Sequence, residues 1–220
     1  MTRHGAVVRA DSIRRLSDSG WEALFDYGVC RIVDLRFESE LAADPPRELP
    51  VEVVHVSVLP DEDSHHWPEI DAISNAAPDD ISGTRDVYLE FLERFQPRFV
   101  QAVEAVADAP EGTVLIHCLG GKDRTGLVTA LLLRLAGVPI PEIAADYALS
   151  AGRLTAWSEA WIDEAVSDEE RRRRVRISAT PAEAMVAVLE ELERHHGDAR
   201  SYVEIDTKPV AERIRSRLRA

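Results

Sequence analysis

A cysteine and an arginine separated by five residues form the part of this sequence best suited to chemistry. They belong to the stretch His117-Cys118-Leu119-Gly120-Gly121-Lys122-Asp123-Arg124-Thr125-Gly126. A cysteine can supply a thiolate nucleophile, and the planar fork of an arginine can bind two oxygens of a phosphate at once. The spacing therefore predicts a loop around a phosphate dianion, with Cys118 as nucleophile and Arg124 as the group that holds the oxygens.

The segments on either side predict how this loop is positioned. Residues 113–116 are an apolar run that reads as a short buried strand, and residues 127–135 read as a helix that ends at Gly137. Cys118 would then face the N-terminus of that helix, where unpaired N–H groups and the helix dipole favour a thiolate. Gly120 and Gly121 would let the loop turn its own N–H groups inward.

These residues resemble the loop of the cysteine-dependent tyrosine phosphatase superfamily, and specifically the bacterial tyrosine/lipid phosphatases with the pattern His-Cys-x-x-Gly-Lys-Asp-Arg-Thr-Gly. Every fixed position of that pattern is present. The resemblance continues more weakly through residues 31–36, with Glu38 and Glu40. It implies attack of Cys118 on phosphorus, a phosphocysteine intermediate and its hydrolysis by water, without a metal or cofactor.

The same resemblance gives roles to the neighbouring residues. His117 would orient the loop and Thr125 would stabilise the sulfur as a leaving group, while Leu119, Gly120 and Gly121 would line the phosphate site. Lys122 adds a second cation that suits a phosphoinositide head group, so the implied partner is a phosphorylated protein or a phosphoinositide.

The general acid is harder to assign because the chain lacks the Trp-Pro-Asp sequence of many superfamily members. Its Trp67-Pro68 is followed by Glu69. Asp123, inside the loop, is the first candidate for the acid. Asp61, in a Pro-Asp-Glu-Asp segment after a predicted strand, is the second.

Other interpretations of the motif fit less well. A nucleotide P-loop needs a glycine where Ile116 stands and Ser or Thr where Asp123 follows Lys122. Sulfurtransferase loops usually have a cradle one residue shorter. A purely structural cysteine would require the glycines, Lys122 and Arg124 to coincide by chance.

Composition favours one cytoplasmic domain over residues 1–220. The chain has a net charge of −14 and two cysteines, Cys30 and Cys118, which argues against nucleic-acid binding and against a disulfide framework. It has no apolar run of about 18 residues, so stable membrane insertion is not expected. The arginines at 171–174 and 176 are the strongly basic stretch, either a site for anionic partners or a solvated helix face.

Alternating strands and helices predict an α/β fold like that of tyrosine phosphatases, with a central, mostly parallel sheet flanked by helices. The predicted strands are 31–36, 51–58 and 113–116. The predicted helices are 11–28, 84–107, 127–136, 141–150, 153–166 and 180–196, the last with a capping box at 180–183 and a stop at Gly197.

Three further expectations concern the surroundings of the loop. Residues 60–83 lack periodicity and are predicted to form a long loop beside the site. The helices over 141–166 are predicted to act as a lid. Arg36, at the end of a buried strand, is predicted either to help bind substrate or, like Asp34, to pair structurally with loop or helix ends.

Two functions remain from the sequence. The first is a cysteine phosphatase acting on phosphotyrosine, and also on phosphoserine/threonine or phosphoinositides. The second is a phosphate- or phospholipid-binding module that has lost turnover.

Overall fold

A four-stranded parallel sheet forms the centre of the protein in the computed structural model, which describes residues 2–44, 48–204 and 209–219. The strands, in spatial order, are β1 (Val7–Ala10), β4 (Thr113–His117), β2 (Val29–Asp34) and β3 (Glu52–His55). The helices are α1 (Asp18–Asp26), α2 (Glu38–Ala43), α3 (Trp67–Ala76), α4 (Asp80–Arg94), α5 (Gln96–Ala107), α6 (Asp123–Leu135), α7 (Ile140–Asp163), α8 (Asp168–Ser178), α9 (Ala182–His196), α10 (Ala199–Val203) and α11 (Val210–Leu218). The predicted parallel α/β fold is confirmed.

Strand β4 lies between β1 and β2 in the sheet, and all five of its residues are buried. A strand of a parallel sheet with helices on both faces has no solvated side, which explains its continuous apolar sequence. Its last residue, His117, lies opposite Ala10 of β1 and Asp34 of β2. The carboxyl ends of three strands therefore meet where Cys118 begins the loop.

The two faces of the sheet bury unequal cores. The larger core includes Ile116, Leu131 and Met185, and the smaller one contains Trp21 and Leu115. Neighbouring residues of β4 point to opposite faces, so Leu115 and Ile116 contribute to different cores. This anchors the strand on both sides and fixes the starting point of the loop.

The prediction of a long loop over 60–83 is wrong, because α3 and the first turn of α4 lie there. Pro68 is tolerated in the first turn of α3, and the Asp79 carboxylate caps α4 by accepting a hydrogen bond from the Ser82 N–H at 2.7 Å. Ile70 is the one buried residue of α3. A helix that buries so little gives a weak periodic signal.

Several helix boundaries also differ from the predictions. The segment 84–107 is two helices that meet at Phe95, and 141–150 and 153–166 form the single helix α7. The helix expected over 11–28 begins only after Ser17, whose hydroxyl accepts from the Gly20 N–H at 3.2 Å. Strand β1 was not predicted, since four half-buried residues leave little pattern.

At the start of α9 the predicted capping box is wrong. The helix follows Pro181, and the buried hydroxyl of Thr180 has no hydrogen-bond partner within the described parts of the chain. The predicted stop is confirmed: Gly197 adopts a φ of 89°, which favours glycine.

Candidate active site

The cysteine loop joins β4 to α6 and encloses the sulfur. Cys118 is 2% exposed, and its Sγ accepts a hydrogen bond from the Gly121 N–H at 3.2 Å. Helix α6 begins at Asp123, so the N-terminal N–H groups of a long helix follow directly after the loop. A donor aimed at the sulfur and a helix N-terminus both stabilise a thiolate.

The two glycines of the loop are not equivalent. Gly121 has a φ of 66°, and an added Cβ would stand 2.5 Å from the carbonyl oxygen of Ala10. Gly120 has an ordinary backbone conformation, and an added Cβ there would meet nothing within 4 Å. Only Gly121 therefore has the special conformation that the sequence predicted for both.

Arg124 is held in place by an acidic residue of α2. Its Nη1 and Nη2 donate to the Glu40 carboxylate at 2.5 and 2.9 Å, and its guanidinium lies 4.2 Å from the centre of the Phe37 ring. The same carboxylate accepts the Phe37 N–H at 2.7 Å. Burial alone would lower the pKa of Arg124, but the Cys118 sulfur and Glu40 raise it above its usual value. Arg124 is thus a fixed cation beside the candidate nucleophile, Cys118.

Asp123 belongs to a hydrogen-bonded chain of buried tyrosines. The Tyr88 hydroxyl donates to Asp123 Oδ1 and lies 2.9 Å from the Tyr147 hydroxyl. Burial and the Asp123 charge raise the pKa of both tyrosines, so each stays protonated and can act as a donor. These hydrogen bonds orient the carboxyl group of Asp123, the first candidate for the general acid in the sequence analysis.

The Lys122 ammonium group is bound by oxygens of the protein. Its Nζ donates to the carbonyl oxygen of Ile177 and to that of Ala179 at 3.3 Å, and lies 3.2 Å from Asp123 Oδ1. The loop is thereby tied to the C-terminal end of α8. In this conformation the ammonium group is occupied by protein oxygens.

His117, Asp34 and Arg36 form a buried group behind the loop. Arg36 donates to both oxygens of Asp34, at 2.7 Å from Nη2, and to Asp44 at 2.9 Å. His117 Nδ1 lies 3.2 Å from the Cys118 carbonyl oxygen, and its Nε2 lies 3.6 Å from Asp34. Burial lowers the pKa of His117, although Asp34 partly opposes this shift. The neutral ring supports the backbone of the loop.

The remaining predicted residues occupy different places. Thr125 is fully buried in the first turn of α6, and its hydroxyl has no hydrogen-bond partner in the described chain. Leu119 is 40% exposed at the tip of the loop. The Asp61 carboxylate accepts from the N–H and hydroxyl of Ser39, both at 3.0 Å, so it supports the start of α2 rather than bonding to the loop.

A cavity of about 250 Å³ opens beside the loop. Its polar wall includes Lys122, Asp123 and Arg124, and arginines of α8 lie on its border. Its apolar wall is formed by aromatic and aliphatic side chains, among them Phe37, Leu59, Trp67, Ile70, Tyr88 and Phe91. Arg36 and His117 instead line a separate cavity of about 190 Å³. The structure therefore places Arg36 behind the loop. Its contact with Asp44, at the end of α2, agrees with the alternative of structural pairing with a helix end, and its pairing with Asp34 is an additional finding.

Sequence reasoning missed the site residues that lie far from the loop along the chain. Glu40 was noted only through the resemblance, and Phe37 and Tyr88 had no assigned role in the site. The one available signal was the position of Glu40 shortly after β2, because the carboxyl ends of parallel strands gather at one edge of a sheet. Tyr88 has an ordinary place in a helical pattern and carries no such signal.

The parallel sheet, together with a cysteine-to-arginine loop at the start of a helix, defines an α/β protein of the tyrosine phosphatase-like class. The sequence profile of the tyrosine phosphatase family matches residues 1–220. The chain belongs to this family.

Two relatives agree with that assignment. A tyrosine-protein phosphatase of Nostoc commune is 36% identical over 149 residues, covering 66% of this chain and 48% of the relative. The triple specificity protein phosphatase PtpB of Mycobacterium tuberculosis (strain ATCC 25618 / H37Rv) is 31% identical over 167 residues, covering 66% of this chain and 60% of the relative. The chain thus spans about half to three fifths of the length of these relatives.

Proposed function

We propose that this protein is a phosphatase that hydrolyses phosphate monoesters through a phosphocysteine intermediate. The observation that carries the proposal is the loop itself, in which the Gly121 N–H donates to the Cys118 sulfur at 3.2 Å and Arg124 stands fixed beside it. Membership of the tyrosine phosphatase family supports it. A thiolate and a cation in one loop suit attack on phosphorus.

In the proposed reaction the Cys118 thiolate attacks phosphorus and forms an S–P bond while the P–O bond to the leaving group breaks. Asp123 donates a proton to the departing oxygen, and Arg124 with the loop N–H groups holds the other phosphate oxygens. Water then attacks phosphorus, Asp123 accepts its proton, and the S–P bond breaks to regenerate the thiolate. Thr125 would assist this second step by donating to the departing sulfur.

We assign phosphotyrosine as the primary substrate because the cavity beside the loop has an aromatic wall. The rings of Phe37, Trp67 and Phe91 contact one another and form a continuous apolar wall, against which the ring of a phosphotyrosine would pack, whereas a phosphoserine would leave this surface unused. Phosphoserine/threonine and phosphoinositides are additional proposed substrates. The name of the relative PtpB, a triple specificity protein phosphatase, supports this wider range of substrates. For a phosphoinositide, Lys122 would have to leave the α8 carbonyl groups that it now contacts.

The test compares phosphate release by the wild type, Cys118→Ser and Cys30→Ser, on a phosphotyrosine peptide and a phosphoinositide panel, with a chelator present. Cys30 is a matched control because its Sγ lies 3.3 Å from the carbonyl of Thr113, at the opposite end of β4. We expect Cys118→Ser to lose turnover but retain phosphate binding, while Cys30→Ser stays active. Turnover that survives in Cys118→Ser would overturn the mechanism.

A phosphate-binding module without turnover is the second candidate. The observation in its favour is that Cys118 is only 2% exposed, which restricts nucleophilic attack but not binding to the loop N–H groups. Vanadate binding by a wild-type protein that releases no phosphate from any substrate would favour this module over the enzyme.

A further inference from the structure

Arg9, at the end of β1, bonds to the outer side of the cysteine loop. Its Nη2 donates to the carbonyl oxygen of Gly121 at 3.0 Å and to the Ser150 hydroxyl at 2.7 Å. Its Nη1 donates to the Asp146 carboxylate at 2.8 Å. One guanidinium thus joins the loop to two residues of α7, and its side chain is 18% exposed.

The bond to the Gly121 carbonyl determines where the next amide points. In a trans peptide the C=O and N–H bonds point in opposite directions. Drawing the Gly121 carbonyl outward to Arg9 therefore turns the Lys122 N–H toward the inside of the loop. The preceding N–H, that of Gly121, already faces the Cys118 sulfur.

A second carbonyl of the loop is held in the same way. The Leu119 carbonyl accepts a hydrogen bond from the Ser12 N–H at 3.0 Å, which turns the Gly120 N–H inward. The residues that follow β1 thus hold one carbonyl with a backbone N–H, and Arg9 holds the other with a side chain. Only the second of these contacts can be removed by substitution without changing the backbone.

We infer that Arg9 is a positioning residue for the cysteine loop: by holding the Gly121 carbonyl outward, it aims the Lys122 N–H at the phosphate. This inference deepens the proposed phosphatase function and rests on it. The contacts to Asp146 and Ser150 fix the guanidinium itself, so α7 takes part in the alignment. Arg9 touches neither the sulfur nor the substrate and acts through the loop.

The test measures kcat, KM and inhibition by vanadate for Arg9→Gln and Arg9→Lys, at a temperature where thermal melting shows each variant folded. Loss of one anion-binding donor commonly lowers the rate by about 10²–10³-fold. In Arg9→Gln the Lys122 N–H is misdirected rather than lost, so kcat should fall by about 10–100-fold. Vanadate mimics the transition state, and its inhibition should weaken by a similar factor. Arg9→Lys keeps the charge but lacks the planar guanidinium, so its kcat and its vanadate inhibition should lie between those of the wild type and Arg9→Gln.

Arg153→Gln is the matched control. Arg153 lines the same groove as Arg9 and is exposed, and its replacement removes the same charge. We expect its kcat and vanadate inhibition to stay within about twofold of the wild type, as for ordinary surface substitutions. Equal losses in Arg153→Gln and Arg9→Gln would show a charge effect and overturn the inference.

The remaining outcomes separate the inference from the proposed function. An active wild type with an Arg9→Gln variant that melts at a lower temperature, yet keeps kcat and vanadate inhibition, would show that Arg9 is only a structural ion pair. An inactive wild type that also fails to bind vanadate would instead remove the proposed function on which the inference rests.

Discussion

At the scale of single residues, the site combines one proposed nucleophile, Cys118, with two candidate acids in different surroundings. Asp123 is bound by the Tyr88 hydroxyl and borders the cavity, whereas the carboxylate of Asp61 is engaged by Ser39 at the start of α2. A general acid must reach the leaving oxygen at about 2.6–3.2 Å. Asp123 lies in the loop and borders the cavity, so it stays the first candidate and Asp61 the second.

The first prediction concerns this acid. Asp123→Asn should lower kcat by about 10²–10⁴-fold, flatten the basic limb of the pH–rate profile and affect poor leaving groups most. Asp61→Asn is the matched control and should change kcat little, since it keeps an oxygen that can accept from Ser39. The measurement is kcat against pH for aryl phosphates with leaving groups of different acidity. An Asp61→Asn profile that loses its basic limb, beside an unchanged Asp123→Asn profile, would reverse the assignment.

At the scale of elements, the loop depends on the close approach of β1. Gly121 lies where a Cβ would stand 2.5 Å from the Ala10 carbonyl oxygen and 2.7 Å from the Asp11 nitrogen. Both neighbours are backbone atoms of the strand end and cannot move aside as a flexible side chain would. The shape of the loop is therefore fixed by the sheet edge as well as by its own sequence.

The second prediction compares the two glycines. Gly121→Ala should displace the loop and reduce kcat/KM by at least about 10²-fold, because the new Cβ collides with β1 and misaligns the anion-binding donors. Gly120→Ala adds the same methyl group into open space and should remain within about tenfold of the wild type. Steady-state kinetics and vanadate binding provide the measurement. Equal losses in both variants would mean that any side chain in the loop is harmful and that β1 is not the cause.

The sequence predicted the parts of the site that are close together along the chain, but not the contacts between residues that are far apart along it. Strand, loop and helix follow one another along the chain, so the type and spacing of a few residues predicted the position of Cys118 and Arg124. Glu40 lies 84 positions from Arg124, Tyr88 lies 35 from Asp123, and Arg9 lies 112 from Gly121. Such pairs arise from how the strands are arranged, which no local periodicity encodes. Helix α3 was missed for another reason, its small buried surface.

At the scale of the whole molecule, buried ionisable groups make stability depend on pH. Burial lowers the pKa of His117 below its usual 6.5, with Asp34 opposing the shift. Between the folded and unfolded pKa values the unfolded chain binds more protons, so this contribution to stability is complete above pH 6.5 and is lost as the pH falls. Burial would raise the pKa of Asp34, but Arg36 lowers it below its usual value. The contribution of Asp34 to the free energy of unfolding is therefore lost only below about pH 3.8.

The third prediction follows from the lowered pKa of His117. The free energy of unfolding of the wild type should fall between about pH 7.5 and 5.5, and His117→Gln should show a smaller fall because it lacks the titrating ring. Urea denaturation at both pH values measures the difference. The comparison uses the slope with pH, so a general loss of stability in the variant does not affect it. Identical slopes would show that His117 does not titrate in this range.

Helix α8 covers the cavity and connects the loop to α3. Lys122 donates to the carbonyls near its end, Arg173 lies 3.2 Å from Asp71, and Arg176 donates to Asn75 at 3.0 Å. The segment 141–166 predicted as a lid lies mainly in α7, whose Ile143, Ala144 and Tyr147 are part of the core. The lid stays a prediction, and α8 is a further candidate for it because α8 borders the cavity. Among the described residues, no helix has the length and apolarity to cross a membrane. Within the basic stretch, Arg173 and Arg176 make contacts with α3.

If α8 closes the site, weakening its contact with α3 should make the site easier to enter. Arg173→Asp places a second carboxylate beside Asp71 and removes the ion pair. The fraction of molecules with α8 open should therefore rise, and the KM for a phosphotyrosine peptide should fall. The fall should be no more than about fivefold, because an exposed ion pair contributes about 0–1 kcal/mol. The double variant Arg173→Asp/Asp71→Arg should restore the wild-type KM. Arg172→Asp changes the charge of the same helix at a position with no ion pair among the described contacts, and its KM should not change. A KM that shifts equally in Arg172→Asp and Arg173→Asp, without rescue by the double variant, would assign the effect to surface charge and leave α8 as a fixed wall.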